Sequence, residues 1–335
     1  MKILRWLGWA LGALLLLVWV AWTAATLYYA NLRQAGLRTA LALGYLALLG
    51  GIAWRVRPRA RALRFVGIAS GLVALAYLFQ RPSNGRDWTP DVAVAPTVEV
   101  DGDRVTVRGV RNFRYRSETD FDARWEDRTY DLSKLRSVDL FMIYWGPVEY
   151  CHTILSFDFE GGEPLAVSVE TRKEKGEGFS TFGGFFKQFE LIYIFGDERD
   201  LIGLRTNHRR EQVYLYHLRT QPGRPREIFL AYARFADELA RRPQFYDTIE
   251  NSCGVNIVHR VAEAGRTVFS GRDALYNGYW DRLLYGLGGL DKRLPFEELR
   301  TRSLINERAQ AAGESPDFSR KIREGLPIPP PLEGR

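Results

Sequence analysis

Cysteine is scarce in this chain: Cys151 and Cys253 are the two copies among 335 residues. Two thiols are too few for a disulfide scaffold or a four-ligand zinc site. Histidine is scarce too, with four copies. Three of them, His208, His217 and His259, show no metal-ligand spacing, so no metal or other cofactor is expected. No internal repeat is visible. Charge is nearly missing from one region, the first 80 residues: Ile3 to Ala30 carries a single charged side chain, Arg5. The stretch from Arg38 to Trp54 is uncharged after its first residue, and Phe65 to Phe79 is uncharged throughout. Over the whole chain, 46% hydrophobic and 26% charged residues are ordinary globular values. The uneven distribution is therefore the informative feature.

A bilayer core takes about 20 apolar residues per helix, within a range of about 17 to 25. The first segment exceeds this, and the other two reach it with their flanks. The first apolar run is also too long for a signal-peptide core of about 7 to 15 residues, and no small-x-small cleavage site ends it. Residues 1–80 thus read as an uncleaved anchor of three transmembrane helices. The loop between the second and third segments holds Arg55, Arg57, Arg59, Arg61 and Arg64 with no acid. Positive charge accumulates in the cytoplasm, so this loop and the amino end with Lys2 and Arg5 are expected inside. Three spans then place everything after Gln80 outside, as a multi-pass protein of the inner membrane. The net charge of +7 is largely that Arg cluster and calls for no nucleic-acid partner.

Residues 81–96 read as a polar linker, and 97–315 as one folded domain. Thr97 to Val110 alternates around Asp101-Gly102-Asp103, a hairpin signature. Leu140 to Trp145, Thr153 to Phe159, Leu165 to Glu170, Phe189 to Phe195 and Val213 to Leu218 are strand-like. Arg226 to Arg241 places Ile228, Phe229, Tyr232, Phe235, Ala236 and Leu239 at helical spacing. Asn251 or Ser252 can cap a further helix through Val255, Ile257, Val258 and Val261. Strands followed by helices within one domain indicate an α+β fold. Residues 316–335, ending near Pro-Ile-Pro-Pro-Pro, read as a disordered tail.

Cys253 is the residue with the clearest chemical potential. It stands at an expected helix start, where unpaired backbone N–H groups and the helix dipole favour a thiolate. A thiol nucleophile needs a base, and His152, at the entry of a strand, is the candidate. The competing reading is a buried cysteine and a structural histidine. Glu170, on the strand returning from His152, is the candidate to fix the imidazole tautomer. A two-residue turn at Gly161-Gly162 would pair residue 153 with 170 and send Glu170 to the opposite face. A three-residue loop would pair Ile154 with Glu170 and set Glu170 diagonally beside His152, and this register is favoured. Glu190 or a main-chain carbonyl is the alternative third member. Tyr144 and Trp145 are candidates to wall a cleft, and Asn251 to contact substrate beside Cys253. Arg172, with Lys173, Glu174 and Lys175, can line a mouth for an anionic substrate or form a solvated loop. Glu198, Arg199, Asp200 and Arg205 read as a structural ion-pair network. A Cys151–Cys253 disulfide in an oxidising compartment would mask the nucleophile.

Four stretches carry a family resemblance: GDRVTVRGVRNFRYRSETDFDARWEDRTYDLSKLRSVDLFMIYWG, CHTILSFDFEGGEPLAVSVETRKEKGE, FELIYIFGDERDLIGLRTN and PQFYDTIENSCGVNI. From Trp88 to about His259 the chain resembles the family named for the periplasmic N-terminal domain of the lipoprotein N-acyltransferase Lnb. That family is similar to circularly permuted NlpC/P60-type, papain-like enzymes, in which the histidine precedes the cysteine in the chain. The resemblance implies His152 as base and Cys253 as nucleophile. This sequence departs from the family's expected Asn-Asn-Cys-Thr-Thr-Asn-Ile by carrying Gly254 and Val255 after the cysteine. The implied function is a periplasmic thiol acyltransferase or hydrolase acting on lipid or lipoprotein acyl groups. A cell-wall peptide amidase and a non-catalytic envelope-binding module stay open as alternatives. Oligomeric state is not legible.

Overall fold

The structure, a computed structural model, describes residues 2–32, 34–264, 273 and 276–330. It divides into two compact units. The first comprises Met1–Thr89, Lys173–Glu190 and Phe245–Thr248, and the second Pro90–Arg172, Leu191–Gln244 and Ile249–Arg335.

In the first unit, apolar composition produces three long helices: α1 (Lys2–Tyr28), α2 (Ala35–Arg55) and α3 (Arg59–Phe79). Each is long and apolar enough to cross a membrane. Their outward faces carry exposed Leu, Trp and Phe, while Tyr45, Leu49 and Val66 form a small packed core. Between them runs a polar thread. The Tyr45 hydroxyl lies 2.7 Å from Thr23 Oγ1 and 2.6 Å from Ser70 Oγ, joining all three helices. Where the surroundings are apolar, such hydrogen bonds and close packing hold helices together in place of a hydrophobic drive.

The second unit is built on a mostly antiparallel sheet. Its strands are β1 (Thr97–Asp101), β2 (Arg104–Arg111), β5 (Trp125–Asp131), β6 (Leu135–Tyr144), β7 (His152–Phe159), β8 (Leu165–Arg172), β9 (Glu190–Gly196) and β10 (Gln212–His217). Their order is β1-β2-β9-β8-β7-β6-β10, with β5 also on β2. A separate short pair is β3 (Arg114–Tyr115) with β4 (Phe121–Asp122). The β1–β2 hairpin closes with Asp101 opposite Arg104, as the Asp-Gly-Asp signal predicts. Helix α4 (Glu198–Gly203) follows β9, and α5 (Arg224–Arg241) lays Ile228, Phe229, Tyr232, Ala236 and Leu239 into the core. The Phe229 ring meets Phe157 edge-on at 5.1 Å, so α5 covers the face of β7 that carries the odd-numbered residues. After it come α6 (Cys253–Glu263), α7 (Trp280–Leu287), α8 (Phe296–Ser303), α9 (Asn306–Ala312) and α10 (Phe318–Ile322). Mixed strands and helices behind three apolar helices match the expected α+β class.

The expected division into anchor, linker, domain and tail needs two corrections. Residues 81–89 are not a free linker. The Trp88 ring is buried and its backbone bridges to Glu174, because an indole left in water would forfeit a large apolar area. Nor is residue 316 the start of a disordered tail. In α10, Phe318 and Ile322 are fully buried, and Arg323 reaches Asp139 and Glu198, each of which is sealed from solvent.

Candidate active site

The site begins with strand register. Ile154 pairs with Ser168 and Phe157 with Leu165 across β7 and β8. Continuing this register sets Glu170 directly opposite His152, and alternation puts His152, Ser168 and Glu170 on one face. Both registers considered from sequence were therefore off. The chain turns around Gly161, whose φ of 70° is the left-handed conformation glycine tolerates. Glu170 shares the face of His152, as favoured, but stands across from it rather than diagonally.

His152 is buried, and its Nε2 lies 2.7 Å from Ser168 Oγ and 3.2 Å from Glu170 Oε1. The Ser168 hydroxyl donates its single proton to Glu170 Oε1 at 2.7 Å, so toward the imidazole it can only accept. This arrangement assigns the proton to Nε2. The Cys253 side chain contributes to raising the pKa of the same imidazole, and with Nε2 occupied the nitrogen left for a thiol is Nδ1. Arg205 NH2 lies 3.2 Å from the same oxygen, Glu170 Oε1, and adds a positive charge to the carboxylate.

The electrostatics follow from this packing. Burial by itself would lower the His152 pKa, but the Glu170 charge and hydrogen bonding of the imidazolium to Cys253 and Glu170 raise it to about 9, against the opposing charge of Arg205. Burial works to raise the Glu170 carboxyl, yet His152, Arg205 and the Ser168 hydroxyl together hold it well below the usual carboxylate range. Cys151 is different in kind. Burial pushes its thiol well above the ordinary range, and its Sγ sits 3.5 Å from the Asn277 carbonyl oxygen. Both cysteines are free thiols, with Cys253 partly accessible.

Cys253 is the first residue of α6, and Ser252 is its N-cap. Ser252 caps through backbone position alone, without a side-chain hydrogen bond. The work of fixing this helix start falls to Asn256, which is buried. Its Nδ2 donates to Asn251 Oδ1 and to the Ser252 carbonyl, each at 2.9 Å, and its Oδ1 accepts from Tyr193 Oη at 2.9 Å. Asn251 accordingly serves as a prop for the Cys253 turn. The first N–H groups of a helix have no intrahelical acceptor, and Cys253 stands at that end of α6.

The remaining candidates separate. Trp145 is exposed, with its ring centroid 6.5 Å from that of His152, and so stands beside the site. Tyr144 does not join it. Pairing of Ile143 with His152 puts Tyr144 on the other face, where its hydroxyl donates to the Gly278 carbonyl at 2.6 Å and its ring meets Tyr214. Arg172 is buried and donates to the carbonyls of Val92 and Ala93, which ties down the chain before β1. Glu190 is engaged within the first unit by Arg86 at 2.8 Å and by the Ser83 N–H at 3.1 Å. The expected ion-pair network also splits: Asp200 pairs with Arg111 and Glu198 with Arg323, while Arg205 belongs to Glu170.

Two residues around the site, Ser168 and Asn277, escaped the sequence reading, and Arg205 was read there as part of a structural ion-pair network. Ser168 was legible in principle, because its two-residue spacing from Glu170 guarantees a shared face. Arg205 was not, since it arrives from the helical turn after β9. Asn277 was not either. Its side chain accepts from the Cys151 N–H at 3.0 Å and donates to the Cys151 carbonyl at 2.6 Å, gripping the peptide before His152. Next to it, Gly278 leaves no room for a side chain: a Cβ there would lie 2.0 Å from the Val148 carbonyl oxygen.

Residues 121–273 match the model of the family described as the Lnb N-terminal periplasmic domain. The chain carries such a domain. The match begins at Phe121, so the β1–β2 hairpin that seemed part of the resemblance lies outside it. It includes His152, Ser168, Glu170, Arg205 and Cys253, whereas Asn277 and Gly278 come after it. No curated protein and no solved structure matches the chain. A periplasmic Lnb domain behind three apolar helices fits a membrane-anchored protein with that domain in the periplasm.

Proposed function

We propose that this protein is a membrane-anchored thiol enzyme of acyl transfer or amide cleavage, with α1–α3 as three spans and the Lnb domain outside. The observation that carries the reading is a histidine whose Nε2 is held by Ser168 and Glu170 and whose pKa is raised in part by Cys253, the first residue of α6. A nucleophile, a base and an orienting carboxylate in line are the elements of covalent acyl chemistry. The His-before-Cys order and the sheet-plus-helix setting support a permuted papain-like arrangement.

In this reading His152 Nδ1 takes the thiol proton as Cys253 Sγ attacks an acyl carbonyl, forming the new carbon–sulfur bond. The developing oxyanion meets backbone N–H groups at the start of α6. Collapse breaks the bond to the leaving alcohol or amine, which receives the proton from His152 and leaves a thioester on Cys253. An amine or water then attacks the thioester, giving up its proton to His152, and the thiol returns. Anchoring in the bilayer favours a lipid or lipoprotein acyl donor, because enzyme and donor then share two dimensions.

The test is purified full-length protein incubated with a diacylglycerolipid and a lipopeptide bearing a free amino terminus, with Cys253→Ala alongside. Acyl transfer, or an acyl-enzyme trapped on Cys253 and missing from the variant, is the expected result. Cleavage of muropeptides instead would make the protein a cell-wall amidase. A Cys253 thiol that stays unacylated by every donor and no more reactive than in His152→Ala would leave a binding module.

A further inference from the structure

Between Glu177 and Lys187 the chain reads Gly178-Phe179-Ser180-Thr181-Phe182-Gly183-Gly184-Phe185-Phe186, four aromatic rings without a charge. Surface loops are seldom this apolar, and exposed apolar patches mark interaction sites. Here Phe182 is 66% exposed and Phe179 57%.

The loop is fastened to the helix ends of its own unit. The Phe186 ring stacks on Tyr29, immediately after α1, at 5.4 Å and 13°. Tyr77, in the last turn of α3, donates from its hydroxyl to the Phe185 carbonyl at 3.4 Å. Lys187 Nζ donates to the Tyr77 carbonyl at 3.2 Å, and Gln80 Nε2 to the Lys187 carbonyl at 3.3 Å. Arg38, near the start of α2, pairs with Glu177 at 3.1 Å. All three helices are held at the same end. The Phe185 carbonyl therefore lies within reach of a side chain from the last turn of α3. The Phe182 ring is 6.4 Å from that of Phe185.

The loop is also built to hold this shape. A Cβ on Gly183 would lie 2.1 Å from Gln188 Oε1, and one on Gly184 2.3 Å from Thr248 Oγ1. The glycine pair lets the backbone pass against its neighbours while the phenylalanines project.

We infer that residues 178–186 are a membrane-contacting loop, with Phe179 and Phe182 inserted among the lipids of the leaflet that surrounds the outer ends of α1 and α3. The partner is the bilayer itself. Aromatic rings favour the boundary between headgroups and acyl chains, and the contacts of Glu177, Phe185, Phe186 and Lys187 fasten the loop to the ends of the three helices. The inference rests on the reading of α1–α3 as membrane spans and is independent of any catalysis.

The experiment uses the full chain, with Cys151→Ser and Cys253→Ser, reconstituted in phosphatidylcholine–phosphatidylglycerol vesicles. An environment-sensitive fluorophore is attached at Phe182→Cys or, separately, at Phe179→Cys. Val100→Cys, on β1, is the aqueous control and Leu15→Cys, on α1, the membrane control. Lipids spin-labelled high on the acyl chain should quench the loop probes at least about twofold more than the Val100 probe, and iodide should quench them less. Iodide quenching equal to that at Val100 overturns the inference. So does shielding from iodide without lipid quenching, which would point to a second copy of the chain. A Leu15 probe untouched by spin-labelled lipid would instead remove the anchor reading.

Discussion

Glu170 comes opposite His152 where the β7–β8 register is continued two residues past the Ile154–Ser168 pair, and its Oε1 lies 3.2 Å from the imidazole Nε2. Both are largely withdrawn from water: His152 is buried, and three-quarters of the Glu170 side chain is covered. The pair exists because each partner answers the other's charge, with Ser168 and Arg205 supplying the remaining contacts.

That relationship fixes a pH dependence. A histidine whose folded pKa is raised from 6.5 to about 9 contributes stability that is full below about pH 6.5 and lost as the pH rises through about 9. Glu170→Gln should leave a buried imidazole with no anionic partner, dropping its pKa below 9 and flattening the stability curve across that window. The loss of stability near pH 6.5 should be on the order of 2–3 kcal/mol, because each tenfold change in proton affinity is worth about 1.4 kcal/mol. Imidazole titration by NMR and thermal unfolding from pH 6 to 10 measure both. Ser168→Ala should lower acylation of Cys253 by about tenfold while leaving the raised histidine pKa largely in place, since it removes orientation but not charge.

Gly278→Ala tests the clamp behind the histidine. The added methyl would press on the Val148 carbonyl oxygen, and overpacking of this kind costs about 1–3 kcal/mol. We expect faster proteolysis within 145–151 and slower alkylation of Cys253 by iodoacetamide. Unchanged alkylation would show that the site tolerates movement of this segment.

Arg323→Ala tests the closing contact of the chain. It would take the guanidinium from Asp139 and Glu198, which are fully buried, leaving them His217 and Ser156 respectively. Breaking a buried pair in this way costs about 3–5 kcal/mol. Arg320, three residues earlier, pairs with Asp317 and Glu324 in the open, so Arg320→Ala should change stability by less than about 1 kcal/mol. Thermal unfolding of the full chain in detergent distinguishes them, and equal effects would place α10 outside the cooperative fold.

Local patterning in the sequence determined the elements. Long uncharged runs become helices wherever they sit, so α1–α3 were readable. Alternation around Asp101-Gly102-Asp103 and helical spacing in α5 are short-range rules, and these too were readable. So was the pairing of Cys253 with His152 as candidates, because a family pattern carries their order. Tertiary structure decided everything that depends on one strand or loop meeting another. A turn centred on Gly161 shifted the partner of every residue on β8 by one residue from the first expected register and by two from the second, and Glu170 gained its position from that shift. Arg205, Asn277 and Arg323 reach their targets across long stretches of chain, where no spacing rule applies. The phenylalanine loop acquired its place from contacts with helix ends about a hundred residues away, a distance in sequence over which only folding can act.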